Sequence, residues 1–197
     1  AGTYGLTGVL SFNANKIIST GGGGMILTND KKIAKRAKHI TTTAKTDPLD
    51  YFHDEVGYNY RLVNVLAAIG LAQMENFEII LKRKKEIDNL YRKELAGVGD
   101  ISFQKNELNS NPNCWLFTFR TKKMRDLLFY LNGKKIQSRP FWTPMNNLPM
   151  YNNLIYINDN DISNNIFNEC ISIPSSSNLT DSDQHKVISE IKNFYKL

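Results

Sequence analysis

Four consecutive glycines, Gly21 to Gly24, run straight into Met25-Ile26-Leu27-Thr28, and a second short apolar run, Gly8-Val9-Leu10-Ser11-Phe12, stands just ahead of them. Each run is short, β-prone and bounded by polar or glycine residues, so each reads as a short buried strand. Glycine backbone at that place allows positive φ and close approach to a ligand or a facing chain, or it forms a flexible loop. The connection between the strands is polar and holds one lysine, Lys16. A lysine held at the edge of a core can be partly desolvated, which makes its amine nucleophilic; without that it is an ordinary solvated lysine. The run is not a phosphate-binding P-loop, because there the lysine follows the glycines and here it precedes them.

The remaining pattern alternates strand and helix, which is the signature of an α/β chain. Asn29 or Asp30 caps a helix expected through Ile40. Thr41 to Tyr58, with Pro48 and Gly57, reads as a loop. Asn64 is expected to cap a long helical region ending near Ala96-Gly97, with a break near Asn76. Its apolar positions, among them Leu66, Ile69, Ile80, Ile87, Tyr91 and Leu95, recur at spacings of three and four. Within it Lys82-Arg83-Lys84-Lys85 reads as a solvated face. Cys114 to Arg120 is a strand candidate, and Thr121 is expected to cap a helix through Leu131. Lys135 to Arg139 reads as a short strand, Ile162 to Ile171 as a short helix, and Thr180 with Asp183 as the start of the last helix. Two domains are expected, residues 1–80 and residues 81–197.

Lys plus Arg is 25 against 19 for Asp plus Glu, a net charge of +6. That balance favours anionic partners such as phosphate cofactors or nucleotide-sugars. No arginine-rich stretch or nucleic-acid motif accompanies it, so no nucleic-acid partner is expected. Cys114 and Cys170 lack metal spacing and read as buried thiols of a reducing compartment. His39, His53 and His185 show no metal spacing and read as structural or exposed, so no metal is expected. No apolar run is long enough to span a bilayer, and the expected location is cytoplasmic, with no membrane partner.

Ser11-Phe12, Lys16 and Thr20-Gly21-Gly22-Gly23-Gly24 together resemble the lysine region of the DegT/DnrJ/EryC1/StrS sugar aminotransferases. The resemblance continues through His39 to Lys45, Gly57-Tyr58-Asn59-Tyr60-Arg61-Leu62 and Ala67 to Glu75, and persists more weakly to the C-terminus. It implies a partial fold-type-I transferase: the end of the large cofactor domain, then the small C-terminal α/β domain. In relatives the lysine lies near mid-chain, so the expectation is the C-terminal half of a longer enzyme or a truncated product.

Several roles are implied by this resemblance alone. Lys16 is the catalytic lysine, forming an imine with pyridoxal 5'-phosphate and then moving a proton. Ser11 donates to the cofactor phosphate, and Asn59 reaches the phosphate of a partner subunit's cofactor, which makes the protein a homodimer with shared sites. Arg61 is expected to be an ion-pair or capping residue. Arg139-Pro140-Phe141-Trp142-Thr143-Pro144-Met145-Asn146 resembles the substrate-side segment, with Arg139, Trp142 and Asn146 as candidate substrate contacts. Relatives often have histidine where Asn146 stands. The implied reaction moves an amino group from glutamate to a nucleotide-linked 4-keto-6-deoxy sugar for surface glycans such as lipopolysaccharide. The related sugar 3-dehydratases have histidine where Lys16 stands, so Lys16 favours transamination. Relatives also use an upstream aspartate, a Gly-Thr phosphate contact and a stacking aromatic, none of them in this sequence. The rival expectation is a catalytically incomplete fragment that only binds a partner subunit.

Overall fold

The structure, a computed structural model, describes residues 2–196. It divides into two units, one through Glu78 and one from Ile79.

In the first unit, β1 (Gly8–Ser11) pairs antiparallel with β2 (Gly24–Leu27), Val9 opposite Ile26 and Leu10 opposite Met25. The pairing continues past the strands: Phe12 N donates to Gly23 O at 3.0 Å and Thr20 N to Phe12 O at 3.0 Å. Two glycines are sterically required there. A Cβ on Gly24 would lie 2.7 Å from Leu10 O, and one on Gly23, whose φ is +103, would lie 2.8 Å from Leu62 Cδ1. The strands were expected to be buried, but Val9 is 73% and Ile26 51% exposed. The ribbon is a separate two-stranded sheet, with no third strand paired to it among the described residues.

Helix α1 (Lys31–Thr41) starts at Asp30, whose carboxylate accepts from Lys32 N at 2.7 Å and Ile33 N at 3.2 Å. The expected loop beyond it contains a small ribbon of β3 (Lys45–Asp47) and β4 (Phe52–His53), with a register shift. Helix α2 (Asn64–Glu75) has Val63, not Asn64, at its cap position, and no side chain caps it. The break at Asn76 is present. Its side chain donates to Ala72 O at 2.9 Å and its backbone to Gln73 O at 3.2 Å, closing α2 before α3 (Phe77–Leu95) begins.

The second unit is built on a three-stranded antiparallel sheet in the order β5 (Phe117–Arg120), β7 (Cys170–Ile173), β6 (Arg139–Pro140). Helices α3, α4 (Met124–Gly133) and α6 (Asp181–Phe194) contribute Tyr91, Leu95, Leu127, Leu131, Val187 and Ile191 to its core. The strands contribute Phe117, Phe119, Ile171 and Ile173. Helix α5 (Ile162–Glu169) stops two residues before the expected Ile171, because Cys170 to Ile173 forms the central strand, with Ile171 and Ile173 buried.

Other boundaries move for local reasons. Cys114 sits at φ +53, so the extended run starts only at Phe117; Lys135 at φ +60 reduces the Lys135 to Arg139 strand to β6. Thr121 accepts from Lys123 N at 3.1 Å but also donates to Asp100 at 2.6 Å, and α4 starts at Met124 after an uncapped Lys123. Thr180 does cap α6, accepting from Asp183 N at 3.1 Å. Lys84 is buried, contrary to its reading as part of a solvated face. Four successive helical residues sweep about 300° around the axis, so one of the four basic residues must point inward, and Lys84 shares the spacing of Ile87 and Tyr91.

Candidate active site

Ser11, Lys16 and Asn59 all belong to the first unit. Ser11 ends β1, and its Oγ accepts a long contact from Asn13 N at 3.4 Å. Lys16 lies on the seven-residue excursion, residues 13–19, that leaves the ribbon after Phe12 and returns at Thr20. The excursion turns back on itself through Lys16 N donating to Asn13 O at 2.9 Å. Its base is held from α2: Thr20 is 2% exposed, donates its hydroxyl to Gly22 O, and lies so near α2 that a Cβ on Gly70 would come within 2.9 Å of Thr20 Cγ2. Lys16 is half-buried. The ribbon thus brings Ser11 and Lys16 to one end of one element.

Asn59 is placed by a separate pairing. Tyr58 N donates to Ile40 O at 2.7 Å, Thr43 N to Tyr58 O at 3.1 Å and Tyr60 N to Thr41 O at 3.0 Å, with Asn59 opposite Thr42. Gly57 makes the approach feasible, since a Cβ there would lie 2.4 Å from Ala44 N. Tyr58 and Tyr60 stack at 5.1 Å, and strand alternation puts the Asn59 amide on the opposite side, exposed. Arg61, expected as an ion-pair or capping residue, is exposed and forms no ion pair among the described residues. The carboxylates nearby in sequence are already engaged, Glu55 by Arg36 and Asp54 by His39 at 2.7 Å.

That last group was not legible from spacing. His39, Asp54 and Glu55 bring ligand-type atoms within 4.8 Å of one another. The Arg36 guanidinium neutralises Glu55 through paired hydrogen bonds and holds its carboxyl below the usual range. The cluster is therefore an internally compensated ion-pair network. His53 donates to Thr43 O and His185 to Asp181 O, each at 2.7 Å, structural roles as expected.

Arg139, Trp142 and Asn146 belong to the second unit. Arg139 opens β6 opposite Ser172 and is exposed. Trp142 is 57% exposed, edge-on to Phe141 at 4.8 Å and stacked on Trp115 at 5.7 Å with the planes 26° apart. Asn146 lies in a single 3₁₀ turn, Met145–Asn147, and its amide donates to Asn147 at 2.9 Å. Asn147 in turn reaches Asn164, which donates to Asp161 at 2.7 Å, so the Asn146 amide is part of a local structural chain. Trp115 and Lys84 were not singled out by sequence, because their partners lie tens of residues away. Cys114 and Cys170 are free thiols, half-buried, and burial raises both. Among the described residues no helix is long and apolar enough to cross a membrane.

Known proteins share this fold. Over 199 residues the chain is 34% identical to GDP-perosamine synthase of Vibrio cholerae, covering 98% of this chain and 54% of that protein. The aminotransferase TlmJ from Streptoalloteichus hindustanus superposes with a TM-score of 0.89 at 23% identity, covering 98% of this chain and 53% of that one. The sugar aminotransferase-like Spr1654 of Streptococcus pneumoniae, solved in a PLP form, superposes with a TM-score of 0.87 at 21% identity over 100% and 53% of the two chains. The chain spans about half the length of the curated relatives it matches, and its fold is the corresponding part of a fold-type-I transferase. The family profile of the DegT/DnrJ/EryC1/StrS aminotransferases matches residues 1–192, and the chain belongs to that family.

Proposed function

We propose that the protein carrying this sequence is a pyridoxal-phosphate-dependent aminotransferase that moves an amino group from glutamate onto a nucleotide-linked 4-keto-6-deoxy sugar. The observation that carries this reading is the lysine excursion itself. Lys16 and Ser11 share one end of a ribbon whose return is fixed by Thr20, in a chain of an aminotransferase family.

The donor set fits the cofactor. Lys16 supplies a primary amine for an aldehyde carbon, and Ser11 supplies a hydroxyl whose proton is free to point at a phosphate oxygen. The exposed Asn59 amide adds a neutral donor for a phosphate held by a neighbouring copy, which is the reading as a homodimer with shared sites. When bound, pyridoxal phosphate supplies the electron sink for the reaction. Lys16, once its amine is released, moves the proton at the reacting carbon. Arg139 and Trp142 are the substrate-side groups, the first a cation for a diphosphate and the second a ring for a sugar or base. Asn146 gives one amide N–H to Asn147 and keeps its second N–H and its carbonyl for the substrate. In this reading the first unit is the end of the large domain and the second is the small domain. The similarity to GDP-perosamine synthase supports a nucleotide-linked substrate; surface glycan synthesis and a cytoplasmic location belong to the same proposed reading.

Borohydride reduction of the protein purified with pyridoxal phosphate, followed by peptide mapping, is expected to leave the pyridoxyl group on Lys16. A label on any other lysine overturns the assignment. Lys16→Ala is expected to abolish transamination with the far-ultraviolet circular dichroism unchanged.

A further inference from the structure

We infer that Trp115 and Trp142 form a stacking platform for the nucleobase of a nucleoside diphosphate, Trp142 as the contacting ring and Trp115 as the residue that positions it. The inference rests on the nucleotide-linked substrate proposed above and adds the place and manner in which the base is held.

An indole left 57% in water forgoes much of the burial it could gain. Trp142 is nevertheless fixed from two sides, by the offset stack on Trp115 and by the edge of Phe141. Both supports are pinned to the sheet. The Lys84 ammonium donates to Trp115 O at 2.8 Å and to Ser175 O, and Ser175 Oγ accepts from Phe117 N at 3.2 Å. On the other side, Phe141 N donates to Cys170 O at 3.1 Å. The result is an exposed ring whose orientation is set before anything binds, which removes the ordering cost of stacking. Two indoles offer π-faces and no hydrogen-bond code for particular base edges, so the platform tolerates different bases and leaves their discrimination to other groups.

The chain contains two tryptophans, and both are in this pair, so indole fluorescence and the exciton couplet of the stacked indoles report on it alone. In the 197-residue chain, GDP and dTDP are expected to quench indole emission saturably, while ribose 5-phosphate, which has no base, does not. By calorimetry Trp142→Ala is expected to weaken GDP binding about tenfold, the range of one base–aromatic stack, and Trp142→Phe to retain most of it. Trp115→Ala should abolish the couplet and weaken binding about threefold, the range of a lost aromatic pair, with Trp115→Phe restoring affinity. Absence of saturable quenching, equal quenching by ribose 5-phosphate, or unchanged affinity in Trp142→Ala would each overturn the platform. Quenching needs no pyridoxal phosphate and labelling of Lys16 needs no nucleotide. A chain that quenches without taking the label keeps the platform and loses the aminotransferase reading, and the converse loses the platform alone.

Discussion

Lys84 shows how much one side chain can do once the fold turns it inward. It is 6% exposed and donates to the carbonyls of Trp115 and Ser175. A neutral amine has two N–H donors for two carbonyls, whereas an ammonium carries a third. Burial pushes the Lys84 ammonium down to about 8, outweighing the opposing pull of the Cys114 and Asp88 charges. Unfolding returns it to 10.5, so between those values the folded chain has released a proton that the unfolded chain keeps. Stability contributed by Lys84 therefore rises with pH across that window, by up to about 3 kcal/mol. Tyr91 and Tyr195 act in the opposite sense. Burial raises both, Tyr195 to about 12, so above their unfolded value of 10 the unfolded chain loses protons first and stability falls. The half-buried thiols, raised by burial, add to that fall from about 9. Comparing urea midpoints of wild type and Lys84→Met across about pH 7 to 11 isolates the lysine. The wild type should gain on the variant between about 8 and 10.5 and not beyond; a constant difference would show that Lys84 keeps its proton. Sequence alone showed four basic residues in a helical pattern, and only the packing of α3 selects which one is buried.

At the scale of elements, close backbone approaches and caps set where the chain can turn. Gly57 lets Tyr58 to Tyr60 lie along Ile40 to Thr43, and this pairing is what presents Asn59. A methyl group at Gly57 would meet backbone atoms at 2.4 Å, which cannot move aside as a flexible side chain can. Gly57→Ala is therefore expected to break the pairing and to speed amide exchange at Tyr58 and Tyr60 by at least about tenfold; unchanged exchange would show that the strand can shift as a whole. Thr180→Ala removes the acceptor for Asp183 N and should cost the second unit about 1 kcal/mol, read as a shift in the urea midpoint with the slope unchanged. Both caps with an oxygen side chain directly before a helical pattern, Asp30 and Thr180, were legible in sequence. The left-handed residues Cys114 and Lys135 were not, because nothing in their side chains requires positive φ and the turns there are imposed by neighbouring packing.

The whole molecule divides its burial unevenly. The hydrophobic core runs from Ile87 to Ile191 and lies in the second unit, while the ribbon of the first leaves Val9, Met25 and Ile26 exposed and α2 has no buried residue. Few buried contacts and unpaired ribbon edges favour local opening. Hydrogen exchange on the 197-residue chain should be faster in residues 8–60 than in residues 117–133, and uniform protection would contradict this. The exposed apolar faces also favour association, so light scattering is expected to rise with chain concentration. Local chemistry written in neighbouring residues was enough to determine the two short strands of the ribbon, though not their pairing or exposure, its glycines, the capped helices α1 and α6, the break at Asn76 and the motifs that carry the family resemblance, because each depends on a few adjacent positions. The tertiary structure alone decided that Ile171 and Ile173 form the central strand, that Lys84 points inward, and that Trp115 lies against Trp142. Those outcomes rest on contacts between residues far apart in sequence, whose energies appear only when the chain has closed around a shared core.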